Sequence, residues 1–221
     1  MRHWHGYDGR DSRVRRDHLM TVRLVLASAS PARLETLQRA GIDPEVVVSG
    51  VDESRGAADG AAELVLHLAE MKGQAVLSQR PAPVPGHREL VVACDSVLEL
   101  DGQLHGKPGS ENEAIARLTA MSGRSGVLHT GHFMADVTTG AKVVRGAATT
   151  VYFADLTSQE IRAYVATGEP LNVAGAFTLD GIGGAFVRGI QGDPHNVVGI
   201  SLPLLRLMTA ELGVAWTALW R

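Results

Sequence analysis

A serine-rich segment carries the first chemical signal in this sequence. It contains Ser28, Ser30 and Arg33, with Pro31 at the first position of a predicted helix and Ser30 as its N-cap. The free N–H groups and the positive dipole end of such a helix favour phosphate, and an arginine adds a bidentate donor. The segment therefore predicts a phosphate-binding turn, although a capped helix with a surface arginine would have the same residues.

Asp95 is the second candidate, because it directly follows the apolar run Leu90–Cys94. We expect that run to be a central strand that ends near Cys94, and open α/β sheets bind ligands at the carboxyl ends of their strands. A carboxylate at that position could bind a divalent metal or accept a proton from water. An aspartate that only caps a turn is the alternative.

Lysine is scarce: of 21 basic side chains only Lys72, Lys107 and Lys142 are lysines. A lysine that persists where arginine is the rule suggests a need for a compact point charge. Lys107 adjoins a glycine, Lys72 lies within a predicted helix, and Glu53 follows a predicted strand. These residue types suit a metal-bound polyphosphate, but the sequence has no Walker motif.

Three other patterns are weaker. His129 and His132 are three residues apart on a predicted strand, so they should face opposite sides and not share a metal. The glycine-rich stretch 180–184 does not complete a dinucleotide fingerprint. His195 lies in a predicted turn, where we expect a structural role.

Composition excludes several classes of protein. The 221 residues are 45% hydrophobic and 20% charged, as in a globular domain. The net charge of −3 argues against a general binder of nucleic acid or anionic membranes. No apolar run approaches the ~20 residues of a membrane span. Cys94 is the only cysteine, which excludes an internal disulfide and fits a reducing, cytoplasmic compartment.

Strand and helix signals alternate along the chain, which predicts an α/β fold with a mixed twisted sheet and flanking helices. The arginine-rich residues 1–19 lack apolar periodicity, so we predict a disordered extension before a single domain over residues 20–221. The predicted strands are 22–27, 45–48, 90–94, 97–100, 103–105, 128–137, 142–153 and 185–190. The predicted helices are 31–40, 59–77, 110–121, 157–167 and 201–212, and 80–88 is a predicted loop.

Several blocks together resemble the Maf (septum-formation) family of nucleoside triphosphate pyrophosphatases. The opening Leu26-Ala-Ser-Ala-Ser-Pro-Ala-Arg33 is similar to the family's LASxSPRR block. Further similar blocks follow in order over about residues 22–213: Val51-Asp-Glu53, Lys72, Cys94-Asp-Ser96, Gly106-Lys-Pro108, Ser122-Gly-Arg124, Thr167-Gly-Glu-Pro170, Ala174-Gly-Ala-Phe177 and Asn196-Val-Val-Gly199.

The resemblance implies two lobes around a central cleft, usually in a homodimer. It implies cleavage of the α–β phosphoanhydride of a nucleoside triphosphate with Mg²⁺ or Mn²⁺, and a link to cell-division arrest. The family's proton acceptor matches Asp95, which would hold the metal together with Glu53. The remaining polar site positions match Ser28, Ser30, Arg33, Lys72 and Lys107.

Three positions associated with base choice depart from the branch that prefers thymidine and uridine triphosphates: Ala32, Ser96 and Asp180. An ionised Asp180 only accepts hydrogen bonds, so we expect donor-edged bases or broad specificity. Three alternatives stay open: a nucleotide-binding regulator of septation without turnover, an enzyme of the inosine-triphosphate pyrophosphatase type, and a relative acting on another phosphoanhydride.

Overall fold

The computed structural model describes residues 21–52, 60–82 and 84–221. The predicted extension 1–19 and the candidate ligand Glu53 lie outside these residues. The strands are β1 (Thr21–Leu26), β2 (Glu45–Val46), β3 (His87–Leu100), β4 (Gln103–His105), β5 (Ser125–Asp136), β6 (Lys142–Phe153) and β7 (Val187–Gln191). The helices are α1 (Pro31–Arg39), α2 (Ala61–Leu77), α3 (Glu111–Met121), α4 (Ser158–Val165), α5 (Pro194–Val198) and α6 (Leu202–Glu211).

The strands form one mixed sheet in the order β2-β1-β3-β5-β6-β7, with β4 added beside β3. β1 pairs in parallel with β2 and β3, and the pairs among β3, β4, β5, β6 and β7 are antiparallel. The predicted mixed α/β fold is therefore confirmed. No described helix is long and apolar enough to cross a membrane.

Local capping chemistry starts the helices where the sequence predicts. The side chains of Ser30, Ser110 and Thr157 each accept a hydrogen bond from the backbone N–H three residues later. At Thr157 the box is complete, because the Glu160 carboxylate accepts the Thr157 N–H in return.

The prediction of two separate strands around Asp95 is wrong. β3 runs without a break from His87 to Leu100, so Asp95 lies inside a strand and not at its carboxyl end. β3 stays regular because β5 pairs with it from Leu90 to Glu99, along the edge opposite to β1. What ends near Asp95 is the neighbouring strand β1, whose last register partner on β3 is Val92.

Two apolar clusters lie on one face of the sheet, at opposite ends. The first packs α1 and α6 against β1 and the start of β3, through residues such as Leu26, Leu37 and Leu205. The second packs α3 and α4 against the end of β3, through residues such as Leu98 and Leu118. The opposite face is covered by α2. Long central strands therefore connect two lobes, each with its own core.

Buried polar side chains separate the two clusters. Asn196 is fully buried, and its side chain donates to the carbonyl of Leu128 and to the hydroxyl of Thr149. His132 is also fully buried, and its Nε2 accepts the N–H of Ser201, the N-cap of α6. Burial, with a smaller effect from the Arg33 charge, lowers the pKa of His132 to about 4. As predicted, His132 and His129 face opposite sides, since β5 alternates and they oppose Cys94 and Val97.

Helix α2 approaches the sheet closely because a glycine lies beneath it. A Cβ at Gly131 would stand 2.0 Å from the carbonyl oxygen of Val65 in α2. Gly131 is also the register partner of Asp95 on β3, so both residues face α2. The missing side chain therefore lets α2 bring its residues down to the level of Asp95.

We predict that Gly131→Ala lowers the free energy of unfolding by about 3 kcal/mol, because backbone and not a flexible side chain occupies the space. Gly146, the register partner of Gly131 on β6, is the matched control, since its Cβ would meet only Leu66 at 3.6 Å. Urea unfolding measures both variants. Equal stabilities for Gly131→Ala and Gly146→Ala would show that α2 does not need this glycine.

We predict that protonation of the buried His132 lowers the stability of the fold in acid. The unfolded chain binds a proton there near pH 6.5 and the folded chain only near pH 4, so stability is lost as the pH falls through that window. The loss attributable to this group is on the order of 3 kcal/mol. We expect His132→Gln, whose side-chain oxygen can still accept from Ser201, to lose correspondingly less stability over the window. The exposed His87 gives the control His87→Gln, and identical pH slopes in all three proteins would contradict the assignment.

Candidate active site

The candidate site lies where β3 has an open edge. β5 pairs along one edge of β3, so β1 and β4 pair along the other edge. On that edge β1 pairs with β3 as far as Val92, and β4 pairs with it from Leu98 onward. Among the described residues no strand pairs with that edge between these two positions. We call residues 93–97 the open edge of β3. It faces the space between the two lobes, and Asp95 is at its centre.

Asp95 forms a buried ion pair with Lys72. The Lys72 Nζ lies 2.5 Å from the Asp95 Oδ1, and the two side chains are only 9% and 11% exposed. β3 turns the Asp95 carboxylate toward α2, and α2 carries Lys72. The sequence identified both residues, but the three-dimensional contact between them is a result of the fold.

Arg33 binds β3 on the face of the sheet opposite to α2. Its Nε donates to the carbonyl of Gly199 at 2.8 Å, and its Nη1 donates to the carbonyl of Cys94 at 2.8 Å and to the Ser28 Oγ at 3.2 Å. Its Nη2 donates to the Ser96 Oγ at 3.1 Å. Four of its five N–H donors are thus used within the described residues. The bidentate phosphate contact expected from the sequence requires some of these bonds to open.

The Cys94 carbonyl explains why an arginine is needed there. β1 ends its ladder when the Ala27 N–H donates to the Val92 carbonyl, and the carbonyl two residues further on points to the same edge. Arg33 supplies the donor that β1 no longer provides at Cys94. It therefore fixes the backbone directly before Asp95.

The serine turn is built as predicted. Ser30 caps α1 by accepting the Arg33 N–H, and the Ser28 Oγ accepts the Ser30 N–H at 3.2 Å. Ser28 is buried, whereas Ser30 is partly exposed. The helix N-terminus with its two hydroxyls stands beside the Arg33 guanidinium, which is the arrangement expected for an anion site.

Other predicted site residues are positioned separately. Ala32 adjoins Arg33 on α1, and Ser96 bonds both to Arg33 and, at 2.9 Å, to the Thr130 Oγ1. Lys107 is exposed in the loop after β4, and Asp180 is exposed in a loop of the second lobe. Within the described part of the chain, no hydrogen bond or ion pair connects Lys107 or Asp180 to Asp95 and Lys72.

The single cysteine takes no part in this chemistry. Cys94 is fully buried, and burial raises the pKa of its thiol to about 12. A thiol held protonated is neither a nucleophile nor a metal ligand near neutral pH.

Asp95 is the described member of the predicted pair of metal ligands. No group of three or more His, Cys, Asp or Glu side chains in the described residues could hold a metal ion. Mg²⁺ is usually held by one or two carboxylates together with substrate phosphates and water, and not by a cage of protein ligands. The donor set here therefore fits an ion that arrives with a polyphosphate.

Sequence reasoning missed the parts that support the site. Thr130 and Asn196 are fully buried, and Thr130 donates to the Asn196 carbonyl while also contacting Ser96. Gly199 supplies the carbonyl that holds Arg33. The block Asn196-Val-Val-Gly199 was recognisable in the sequence, but nothing in it indicates which partner its backbone contacts.

Comparison with known proteins defines the class to which this fold and site belong. The family model described as "Maf-like protein" matches residues 23–212, so the chain belongs to that family. A nucleoside triphosphate pyrophosphatase of Salinispora tropica is 60% identical over 201 residues, covering 91% of this chain and 88% of the relative. One of Streptomyces coelicolor is 54% identical over 198 residues, covering 90% and 94%.

A more distant likeness is to the solved structure of the Staphylococcus aureus Ham1 protein. It aligns with 60% of this chain and 72% of that chain, with a TM-score of 0.40 and 16% identity. That likeness is too low to bear on function.

Proposed function

We propose that this protein is a nucleoside triphosphate pyrophosphatase, which hydrolyses the α–β phosphoanhydride to a nucleoside monophosphate and pyrophosphate. The observation that carries the proposal is the buried Lys72–Asp95 pair at the open edge of β3. The names of relatives up to 60% identical support the same reaction class.

In the proposed reaction Asp95 accepts a proton. One of its oxygens is engaged by Lys72, and the other can take the proton of a water that attacks the α-phosphorus. The new bond forms between the water oxygen and the α-phosphorus. The bond from that phosphorus to the bridging oxygen breaks, and pyrophosphate leaves with the electron pair.

Positive charge is supplied from both sides of the sheet. Lys72 stands beside Asp95 on the α2 face, while Arg33 and the N-terminus of α1 stand on the other. Lys107 is exposed and can reach a bound anion from the second lobe. Such preorganised charges stabilise the negative charge that develops on the phosphoryl oxygens and the leaving group.

A divalent ion, Mg²⁺ or Mn²⁺, would be held by Asp95 and Glu53 together with phosphate oxygens, and would act as a Lewis acid on the phosphate. Base preference rests on Ala32, Ser96 and Asp180, which we propose shift the enzyme away from thymidine and uridine triphosphates. Homodimer formation and a cytoplasmic location stay predictions of the sequence.

A nucleotide-binding regulator without turnover is the competing proposal. A regulator needs charge to hold a triphosphate, but it does not need a carboxylate buried beside a lysine. Release of pyrophosphate from a panel of common and modified nucleoside triphosphates, with and without Mg²⁺ or Mn²⁺, distinguishes the two and also measures base preference.

We predict that Asp95→Asn lowers turnover by at least ~100-fold, the scale of a lost general base. The amide keeps the size of the side chain and can still pack against Lys72. Circular dichroism checks that the variant is folded, and pyrophosphate release gives kcat and KM. Turnover near the wild-type rate would remove Asp95 from the mechanism.

The three lysines give a matched series. We expect Lys72→Ala and Lys107→Ala each to lower kcat/KM by at least about tenfold, as a lost charge-assisted contact would. Lys142, whose Nζ donates to the Gln74 side chain 3.1 Å away on the surface, is the control and should have no effect. A comparable loss in Lys142→Ala would mean that general surface charge, and not position, governs activity.

A further inference from the structure

A second carboxylate in the other lobe, Glu169, accepts an unusually complete set of hydrogen bonds. Its Oε1 accepts from the Tyr164 hydroxyl at 2.9 Å, from the Thr178 hydroxyl at 2.5 Å and from the Gly183 N–H at 2.9 Å. Its Oε2 accepts the Ile182 N–H at 3.0 Å. We call these five residues the Glu169 cluster.

The Glu169 cluster holds the glycine-rich loop 178–184, which has Asp180 exposed at its tip. Burial opposes ionisation of Glu169, but the hydrogen bonds from Thr178, Gly183 and Ile182 outweigh it and lower the pKa of this carboxyl. The backbone of the loop therefore donates hydrogen bonds to a half-buried, ionised carboxylate.

Close packing around this carboxylate explains the glycines of the loop 178–184. A Cβ at Gly181 would stand 2.6 Å from the Glu169 Oε2. A Cβ at Gly183 would stand 2.3 Å from the Tyr164 hydroxyl and 2.9 Å from the backbone of Thr178. The glycines are needed so that the loop backbone can reach the carboxylate, and not to accommodate a dinucleotide.

The chain that follows Glu169 also holds the Lys107 loop. The Gly175 N–H donates to the Gly106 carbonyl at 3.1 Å, and the Gly109 N–H donates to the Leu171 carbonyl at 3.3 Å. These two bonds flank Lys107 on both sides. Segment 169–176 also packs on β3, since a Cβ at Gly175 would stand 2.9 Å from Leu98, the first residue beyond the open edge.

We propose that Glu169 is a positioning residue, which sets the geometry of the Lys107 loop and the Asp180 loop toward the nucleotide. The inference rests on the proposed pyrophosphatase function, because it assigns these two loops to the triphosphate and the base. Glu169 itself contacts neither the reacting atoms nor Asp95. Its effect should therefore fall on binding and base choice and not on the chemical step.

Glu169→Gln changes the cluster selectively. The amide oxygen can occupy the Oε1 position and keep its three donors, but the amide nitrogen then faces the Ile182 N–H as a second donor. We expect KM to rise about tenfold with kcat within about threefold of wild type, and the kcat/KM ratio between preferred and disfavoured bases to fall toward one.

Glu160→Gln is the matched control. Glu160 lies in the same lobe, and its Oε2 accepts both the N–H and the hydroxyl of Thr157 at 2.7 Å, so the chemical change is the same. It has no bond to either loop in the described part of the chain, and we expect wild-type kcat, KM and base ratios.

Two readouts that do not depend on turnover complete the test. The amide proton resonances of Ile182 and Gly183 should move upfield in Glu169→Gln and stay unchanged in Glu160→Gln. The Kd of an α,β-methylene triphosphate analogue should rise about tenfold in Glu169→Gln alone. Kinetics and Kd that match the control would overturn the proposal.

The two proposals fail separately. If wild type releases no pyrophosphate from any nucleotide, the proposed function is wrong, and the analogue Kd still decides whether Glu169 positions a nucleotide site. If wild type is active and Glu169→Gln loses kcat with an unchanged KM, the pyrophosphatase assignment stands and the positioning role is wrong.

Discussion

The ion pair between Lys72 and Asp95 is the contact on which the rest of the site depends. Both side chains are nearly excluded from solvent, and two charges in that position cost more in desolvation than a pair of apolar residues would. Such a pair is poor evidence for stability and better evidence for a requirement of function. Removing the Lys72 ammonium would take from the buried Asp95 carboxylate the cation that lies 2.5 Å away, so the site tolerates little change here.

The surrounding fold meets the requirements of that pair. α2 must come close enough for Lys72 to reach β3, and Gly131 gives it room by having no side chain directly across from Asp95. β1 must end early so that the edge of β3 at Asp95 has no strand paired along it among the described residues. The early end leaves the Cys94 carbonyl without a strand partner, and Arg33 provides the missing donor. The close approach of α2, the early end of β1 and the hydrogen bonds of Arg33 thus all serve to position the Lys72–Asp95 pair.

A second carboxylate, in the other lobe, has a different set of hydrogen-bond partners. There a half-buried carboxylate, Glu169, accepts hydrogen bonds from backbone and hydroxyl donors and not from a lysine. We propose that the first carboxylate, Asp95, accepts a proton beside the open edge of β3, whereas the second, Glu169, holds loop backbone in place. The two environments separate a chemical role from a positioning role for the same functional group.

The sequence by itself determined the local structure and the residue types of the site. Ser30, Ser110 and Thr157 start their helices because capping is a contact between residues three apart, and alternation of strand and helix signals gave the mixed α/β fold. The scarcity of lysine and the acidic residue after the apolar run Leu90–Cys94 indicate charged candidates for the site, although Asp95 does not lie at the end of its strand. The spacing of His129 and His132 was enough to place them on opposite faces.

Only the tertiary structure decided how these residues combine. β3 continues through Asp95 because β5 pairs with it along one edge. The pairing of Asp95 with Gly131, which lies far along the chain, leaves no signal in the short run Leu90–Cys94. Arg33 is a phosphate ligand by local reasoning, yet its bonds to Cys94 and Gly199 reach 61 and 166 residues along the chain. The absence of side chains at Gly181 and Gly183 is explained by close packing around Glu169, which lies outside the glycine-rich stretch itself. The type of a residue and its neighbours in sequence determine which contacts it can make. Long-range packing determines which partner it contacts, because that partner comes from a distant part of the chain.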